Sequence, residues 1–266
     1  MNIDGNAILV IEDLSMVFGG LRAIDSVSMY IKKGEIAALI GPNGAGKTTI
    51  FNCITGVYAP TEGTISISRN GVTSGEALYK IQGLKPNVIN HLGLARTFQN
   101  IRLFSNMSVL ENVMIGRHNS LKAGIFNAII RDPHTKEEEQ RVIEESYDIL
   151  KNLNLHMYVN EMACNLPYGA QRRLEIARAL ATNPFLLLLD EPVAGMNPQE
   201  TKELEETINI IRDQEKVTIL LIEHDMSLVM NVSERIYVLD YGRLIAEGTP
   251  QEIKSNPEVI KAYLGE

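Results

Sequence analysis

The sequence predicts an α/β fold around a parallel sheet, on three observations. Phe185 to Leu189 and Ile219 to Ile222 are continuous apolar runs of strand length, the pattern of strands covered on both faces. From Gln171 onward, helical and strand patterns alternate. A glycine-rich loop, Gly41-Pro42-Asn43-Gly44-Ala45-Gly46-Lys47-Thr48-Thr49, stands between an apolar strand (Ile36 to Ile40) and a helix from Thr48 to Ile54.

In that loop the glycines let backbone N–H groups turn inward around phosphates. Lys47 reaches the β and γ oxygens, and the Thr48 hydroxyl is a candidate ligand for Mg²⁺. The following helix aims the positive end of its dipole at the same anion. A glycine-rich turn without a ligand explains neither the lysine nor the flanking elements, so the loop predicts nucleotide binding.

The remaining elements follow in chain order. Ala7 to Ile31 reads as short strands with turns at Gly19-Gly20 and Lys33-Gly34, and Gly63 to Ile67 as part of a further β pair. Asn70 to Lys85, with several glycines and polar residues, reads as a loop or an insertion. Leu103 to about Leu155 is mostly helical. There Ser108-Val109-Leu110-Glu111 forms a capping box, and Val142, Ile143, Ile149, Leu150 and Leu153 form the stripe of a helix over Glu137 to Leu153. The charge run Lys136 to Gln140 is a solvated face. Leu121 to Arg131 suits an amphipathic surface helix or an ordinary connection equally. Beyond it come a helix at Gln171 to Thr182, the Phe185 strand and a helix at Gln199 to Arg212. A strand at Val217 to Ile222, a helix at Ser227 to Asn231, a hairpin from Ile236 to Glu247 turning at Tyr241-Gly242, and a helix at Pro257 to Leu264 complete the chain. There is no internal repeat.

Composition narrows the function classes. With 266 residues, 45% of them hydrophobic, the chain is a folded globular protein with an ample core. Its 33 Asp and Glu against 25 Lys and Arg leave a net charge of −8, which argues against nucleic acid as a partner. No apolar run approaches the roughly 18 residues of a spanning helix. Met1-Asn2-Ile3-Asp4 opens neither a basic nor an apolar targeting segment. Cys53 and Cys164 fit no disulfide framework or metal spacing and read as reduced thiols. The expectation is a soluble, cytoplasmic chain.

Phe185 to Leu189 ends in Asp190-Glu191. At the carboxyl end of a parallel strand beside the phosphate loop, Asp190 is placed to hold Mg²⁺ through water, and Glu191 to polarise the water that attacks a γ-phosphate. Alone, two acids after a strand are as easily the cap of the next turn. Leu166-Pro167-Tyr168-Gly169-Ala170-Gln171, running into Arg172-Arg173-Leu174-Glu175, lies just ahead and resembles the signature segment of ATP-binding-cassette (ABC) ATPases. Other marks of that family stand in order. Phe18 is where it keeps an aromatic to stack on adenine, and Gln99 matches the glutamine loop that senses Mg²⁺ and the membrane partner. Ala194-Gly195-Met196-Asn197 falls at the loop crossing the dimer interface, and His224 matches the switch histidine on the γ-phosphate. Singly, Phe18 reads as a core aromatic, His224 as structural and Gln99 as nothing in particular.

The resemblance covers nearly the whole chain. It implies a single ABC ATPase domain over 1–266: an antiparallel β lobe (about 1–35 and 60–75), a P-loop core like that of RecA (36–59 and 171–240), a helical subdomain (about 100–170) and a C-terminal hairpin strand and helix (241–266). The narrower likeness is to the LivG-type ATPase of branched-chain amino-acid importers. It rests on the Asn165 to Leu180 segment, the Asp190 to Pro198 run, the connection from Gly116 to Thr135 with Gly124-Ile125-Phe126, and the ending Ala262-Tyr263-Leu264-Gly265-Glu266. The resemblance implies ATP and Mg²⁺ as cofactors and a second ABC ATPase chain as partner, a paralogue or a second copy. It also implies two transmembrane permeases fed by an extracytoplasmic amino-acid-binding protein, and a place on the cytoplasmic side of the membrane. Closure would reach the permease through the Gln99 region, near Leu103 and Phe104. An ATPase for another cargo, such as lipopolysaccharide export, a soluble cassette protein, and a scaffold that binds ATP without splitting it are the competing readings.

Two departures from the family pattern matter. Pro167 replaces the signature serine, so no hydroxyl is available there; the Gly169 N–H and the helix dipole are left to hold the anion. Asn197 stands where aspartate is common, which predicts a neutral hydrogen bond across the interface.

Overall fold

The computed structural model describes residues 5–72, 78–117 and 133–264. Strands β1 (Ala7–Phe18), β2 (Leu21–Lys32), β4 (Glu62–Ile67) and β5 (Tyr79–Lys80) form an antiparallel sheet in the order β2-β1-β4-β5. The expected short strands of the first segment are two strands of 12 residues each, joined through Gly19-Gly20. The apolar alternation breaks because the register slips near Asp13 and Ser26, both at positive φ (48° and 52°). Such bulges bend a strand without ending it. The Asp13 carboxylate accepts from the Ser26 and Ser28 hydroxyls across the bulge.

The second sheet centres on β3 (Ile36–Ile40). It is flanked in parallel by β8 (Thr218–Ile222) and β9 (Arg235–Asp240), and extended through β7 (Leu186–Asp190) to β6 (Leu94–Arg96). At the other edge β10 (Arg243–Gly248) runs antiparallel to β9. Period-two alternation sends Leu186 and Leu188 into one core with Ile50 and Phe51. Leu187 and Leu189 enter another core with Leu174 and Ile208 on the opposite face. The first core lies under the antiparallel sheet, and the second under the helices.

Those helices are α1 (Lys47–Ile54), α2 (Pro86–His91), α3 (Val109–Arg117), α4 (Pro133–Asn152), α5 (Tyr168–Leu180), α6 (Pro198–Asp213), α7 (Met226–Val232), α8 (Pro250–Ser255) and α9 (Pro257–Leu264). The Ser108 capping box opens α3, with Ser108 N–H donating to Glu111 Oε2 (2.7 Å) and Glu111 N–H to Ser108 Oγ (3.2 Å). Helix α5 starts three residues before the expected Gln171, because Pro167 takes the N-cap position and Tyr168-Gly169-Ala170 carries no apolar period. Strand β5 falls inside the segment read as a loop or an insertion. Strand β6 and helices α2 and α8 were not expected; each is too short to show a period. The segment Leu121 to Arg131 and its Gly124-Ile125-Phe126 lie outside the described residues. Among the described residues no helix is long and apolar enough to cross a membrane.

Candidate nucleotide site

The loop 41–46 turns on glycines the fold requires. At Gly41 (φ 149°) a Cβ would fall 2.1 Å from the Leu239 carbonyl oxygen. At Gly46 (φ 103°) it would meet Ile24 Cδ1 at 2.5 Å and the Ala23 carbonyl oxygen at 2.8 Å. The chain therefore passes hard against β9 and β2 before Gly46 caps α1, leaving the first-turn N–H groups of α1 without a side-chain cap. Lys47 folds its buried ammonium back onto the loop, donating to the Gly41 and Pro42 carbonyls at 2.7 and 2.9 Å. Burial lowers its pKa, against the pull of Glu191 and Asp190.

A cleft of ≈ 210 Å³ joins residues far apart in sequence: Asn43 to Thr49 on one side, Glu191 and His224 on the other. Glu191, held at φ 48° just past β7, accepts from the Gln99 amide at 2.7 Å through Oε2 and pairs with His224 Nε2 at 2.9 Å through Oε1. Behind them Glu223, nearly buried, accepts from the N–H groups of Val193 and His224 at 2.9 Å each. Burial raises its pKa against those bonds. Asp190, 4% exposed, accepts from Arg96 Nη2 at 2.6 Å. Thr48 and Asp190 offer oxygen donors only, which suits a hard cation such as Mg²⁺, and the buried Lys47 ammonium suits phosphate.

The other expected residues sit apart from this cleft. Phe18 ends β1, 39% exposed, edge-on to Tyr58 with ring centroids 5.2 Å apart. Leu166 to Gln171 belongs to the start of α5, where Gln171 Nε2 donates to the Leu166 carbonyl (2.9 Å) and the Ala170 side chain is buried. The Gly169 N–H, expected to face an anion, donates instead to Glu200 Oε1 of the same chain at 3.1 Å. Tyr168 Oη donates to the Ala194 carbonyl at 3.0 Å. Asn197 is the N-cap of α6, its Oδ1 accepting from the Gln199 and Glu200 N–H groups at 3.0 Å each. Its oxygen is thus committed within its own chain. Sequence reasoning missed Arg96, Glu200 and Glu223. Each is a charged residue next to a quoted motif, and what distinguishes it is a partner on another element.

Two family models match the chain: ABC transporter over residues 24–194 and Branched-chain amino acid ATP-binding cassette transporter over residues 243–266. The chain is 48% identical over 259 residues to the high-affinity branched-chain amino acid transport ATP-binding protein LivG of Salmonella typhimurium, covering 97% of this chain and 98% of that one. It is 45% identical, at the same coverage, to BraF of Pseudomonas aeruginosa, which carries the same description. Among solved structures it is similar to a nucleotide-free ATP-binding cassette from an ABC transporter (TM-score 0.79, 34% identity, 98% of this chain and 100% of that one). It is also similar to an ABC transporter cassette in its ADP conformation (TM-score 0.80, 33% identity, 98% and 99%). The chain belongs to the ABC transporter family, within it to the branched-chain amino acid transport ATP-binding proteins, and is an ATP-hydrolysing transport subunit.

Proposed function

We propose that this chain powers the import of branched-chain amino acids as one of two cassettes on the cytoplasmic side of a membrane, driving two permeases fed by an extracytoplasmic binding protein. The observation that carries the chemistry is the cleft uniting loop 43–49 with Glu191 and His224, together with the Gln99–Glu191–His224 hydrogen bonds. Lys47 exchanges its bonds to the Gly41 and Pro42 carbonyls for phosphate oxygens. Glu191 accepts a proton from the attacking water, and His224 holds both Glu191 and the γ-phosphate. Thr48, Asp190 and Gln99 would hold Mg²⁺, which would supply charge neutralisation at the phosphates. Phe18 offers a face to adenine.

Leu166 to Gln171 does not line this cleft, which supports a site completed by a second cassette that presents its own signature segment. Such pairing makes ATP binding a closing force and hydrolysis its release, and the motion passes to the permease near Leu103 and Phe104. The test is to tag the chain, isolate it from its native membranes and identify its companions by mass spectrometry. The expected result is two multi-spanning permeases and a second, different cassette ATPase. Recovery alone, or with lipid-export components, overturns the amino-acid assignment and leaves the ATPase standing.

A further inference from the structure

From the contacts of Arg96 we infer that this residue is the positioning residue that sets the Asp190 carboxylate, tying it to the phosphate-loop helix and to the segment leading to Gln99. The inference rests on the site reading above, in which Asp190 serves the metal. Arg96 ends β6 and is mostly buried, its side chain 10% exposed against 5% for Asp190. Its two terminal nitrogens are divided between elements. Nη2 donates to Asp190 Oδ2 at 2.6 Å, while Nη1 donates to Asn52 Oδ1 (2.7 Å) and Thr55 Oγ1 (3.2 Å), at the far end of α1 from Lys47. The guanidinium lies over the rings of Phe51 (5.6 Å) and Phe98 (5.8 Å), clamped between the core and the segment 97–99. Among the described residues, the Asp190 side chain has no other hydrogen-bond partner.

A rigid planar fork that bonds two elements at once fixes the rotamer of the carboxylate it holds. One plane of atoms therefore connects α1, the end of β7 and the root of the Gln99 segment. Arg96 also forms part of the wall of a groove of ≈ 620 Å³ on its other side, shared with Phe98, Arg102, Phe104, Ile115 and Arg178. Leu103 and Phe104 line this same groove, so Arg96 stands between the surface proposed to meet the permease and the carboxylate proposed to serve the metal. A shift of segment 97–104 moves Arg96, and Arg96 moves Asp190.

Lysine keeps the charge and loses the fork, which separates positioning from simple charge balance. The full-length chain is titrated with a fluorescent ATP analogue in EDTA and then with Mg²⁺ at fixed nucleotide, comparing wild type, Arg96→Lys and Asn52→Ala. The second variant leaves the Arg96–Asp190 pair in place, removes the shorter of the two bonds that anchor Arg96 at the end of α1 while the Thr55 bond remains, and changes a half-buried side chain. Expected are metal-free affinities within about twofold of wild type and a Mg²⁺ midpoint raised about tenfold in Arg96→Lys and about threefold in Asn52→Ala. An unchanged midpoint in both variants overturns the inference, as does an equal loss of affinity with and without metal. Absence of nucleotide binding by the wild type removes the site reading itself, and the inference with it.

Discussion

Glu191 is held by two side chains, an amide on one oxygen and an imidazole on the other, at a backbone conformation that L-residues rarely adopt. Strained backbone at such a point persists only when its surroundings over-determine it. A glutamine at this position keeps the shape and loses the basicity. Glu191→Gln is therefore expected to bind ATP within about twofold of wild type while turnover falls by about 10²-fold or more; phosphate release measured beside equilibrium nucleotide binding checks both. Retained turnover would remove Glu191 as the base. The two cysteines divide just as sharply. Cys53 is fully buried in α1, where burial pushes its thiol from 9.0 up to about 11, whereas Cys164 is exposed. The folded state then holds a proton on Cys53 that the unfolded chain releases, so this contribution to stability is complete below pH 9.0 and lost as pH rises toward about 11. Maleimide is expected to label native protein once, at Cys164, and Cys164→Ser to leave native protein unlabelled. Labelling of native Cys164→Ser would show that the α1 core opens. The meeting of Lys47, Glu191 and His224 in one cleft was legible in advance, because they stand in spaced motifs. Arg96 was not, because its meaning lies in Asp190 and Asn52, neither near it in the chain.

Capping carries information between elements. Asn197 stops the loop 194–197 and starts α6, and Glu200 completes the reciprocal capping box while its other oxygen reaches Gly169 at the head of α5. One carboxylate thus joins the loop assigned to the interface with the segment assigned to the partner's nucleotide. Asn197→Ala loses both side-chain bonds to the first turn of α6 and is expected to cost about 1 kcal/mol, whereas Asn197→Asp keeps them and is expected to cost little. Denaturant midpoints rank the three proteins; equal midpoints for alanine and asparagine would mean that water replaces the cap without loss. At this scale the sequence was read well where a long period or a cap existed, as in α3, α6 and the strands flanking β3. It was misread where bulges break the alternation of β1 and β2, and silent for β6, whose three residues carry no period.

The two sheets are held together by buried polar contacts as well as by apolar surface. Tyr237, on β9, donates its hydroxyl to the Tyr30 carbonyl on β2 at 2.6 Å and accepts from Arg235 Nη1 at 3.2 Å. The Arg235 guanidinium in turn lies 4.4 Å from the Tyr30 ring centroid and pairs with Glu35 at 3.2 Å. Burial raises the Tyr237 pKa, so its hydroxyl remains a donor. Tyr237→Phe leaves a carbonyl and a guanidinium N–H short of a partner. Its expected cost is about 2 kcal/mol, a fall in Tm of several degrees in thermal unfolding; an unchanged Tm would assign the joint to packing alone. The α/β class and the parallel sheet were open to sequence reasoning because strands covered on both faces must be apolar throughout. The seam between the sheets was not, since Tyr30 and Tyr237 are ordinary tyrosines until the fold brings them together.

The turn after β9 meets the phosphate loop directly. Gly242 N–H donates to the Ala45 carbonyl at 3.0 Å, its own carbonyl accepts from Asp25 N–H at 2.9 Å, and β9 presents the Leu239 carbonyl where a Gly41 side chain would stand. β3 likewise has both its neighbours, β8 and β9, more than 170 positions downstream. A chain emerging from the ribosome therefore makes its nucleotide loop first and can brace it only after β9 and the turn at Gly242 have followed. Until the residues around 240 are out, the loop lacks the Gly242 and Leu239 contacts that floor it in the folded chain. A chain interrupted before residue 239 therefore carries the sequence of the loop without the contacts that shape it.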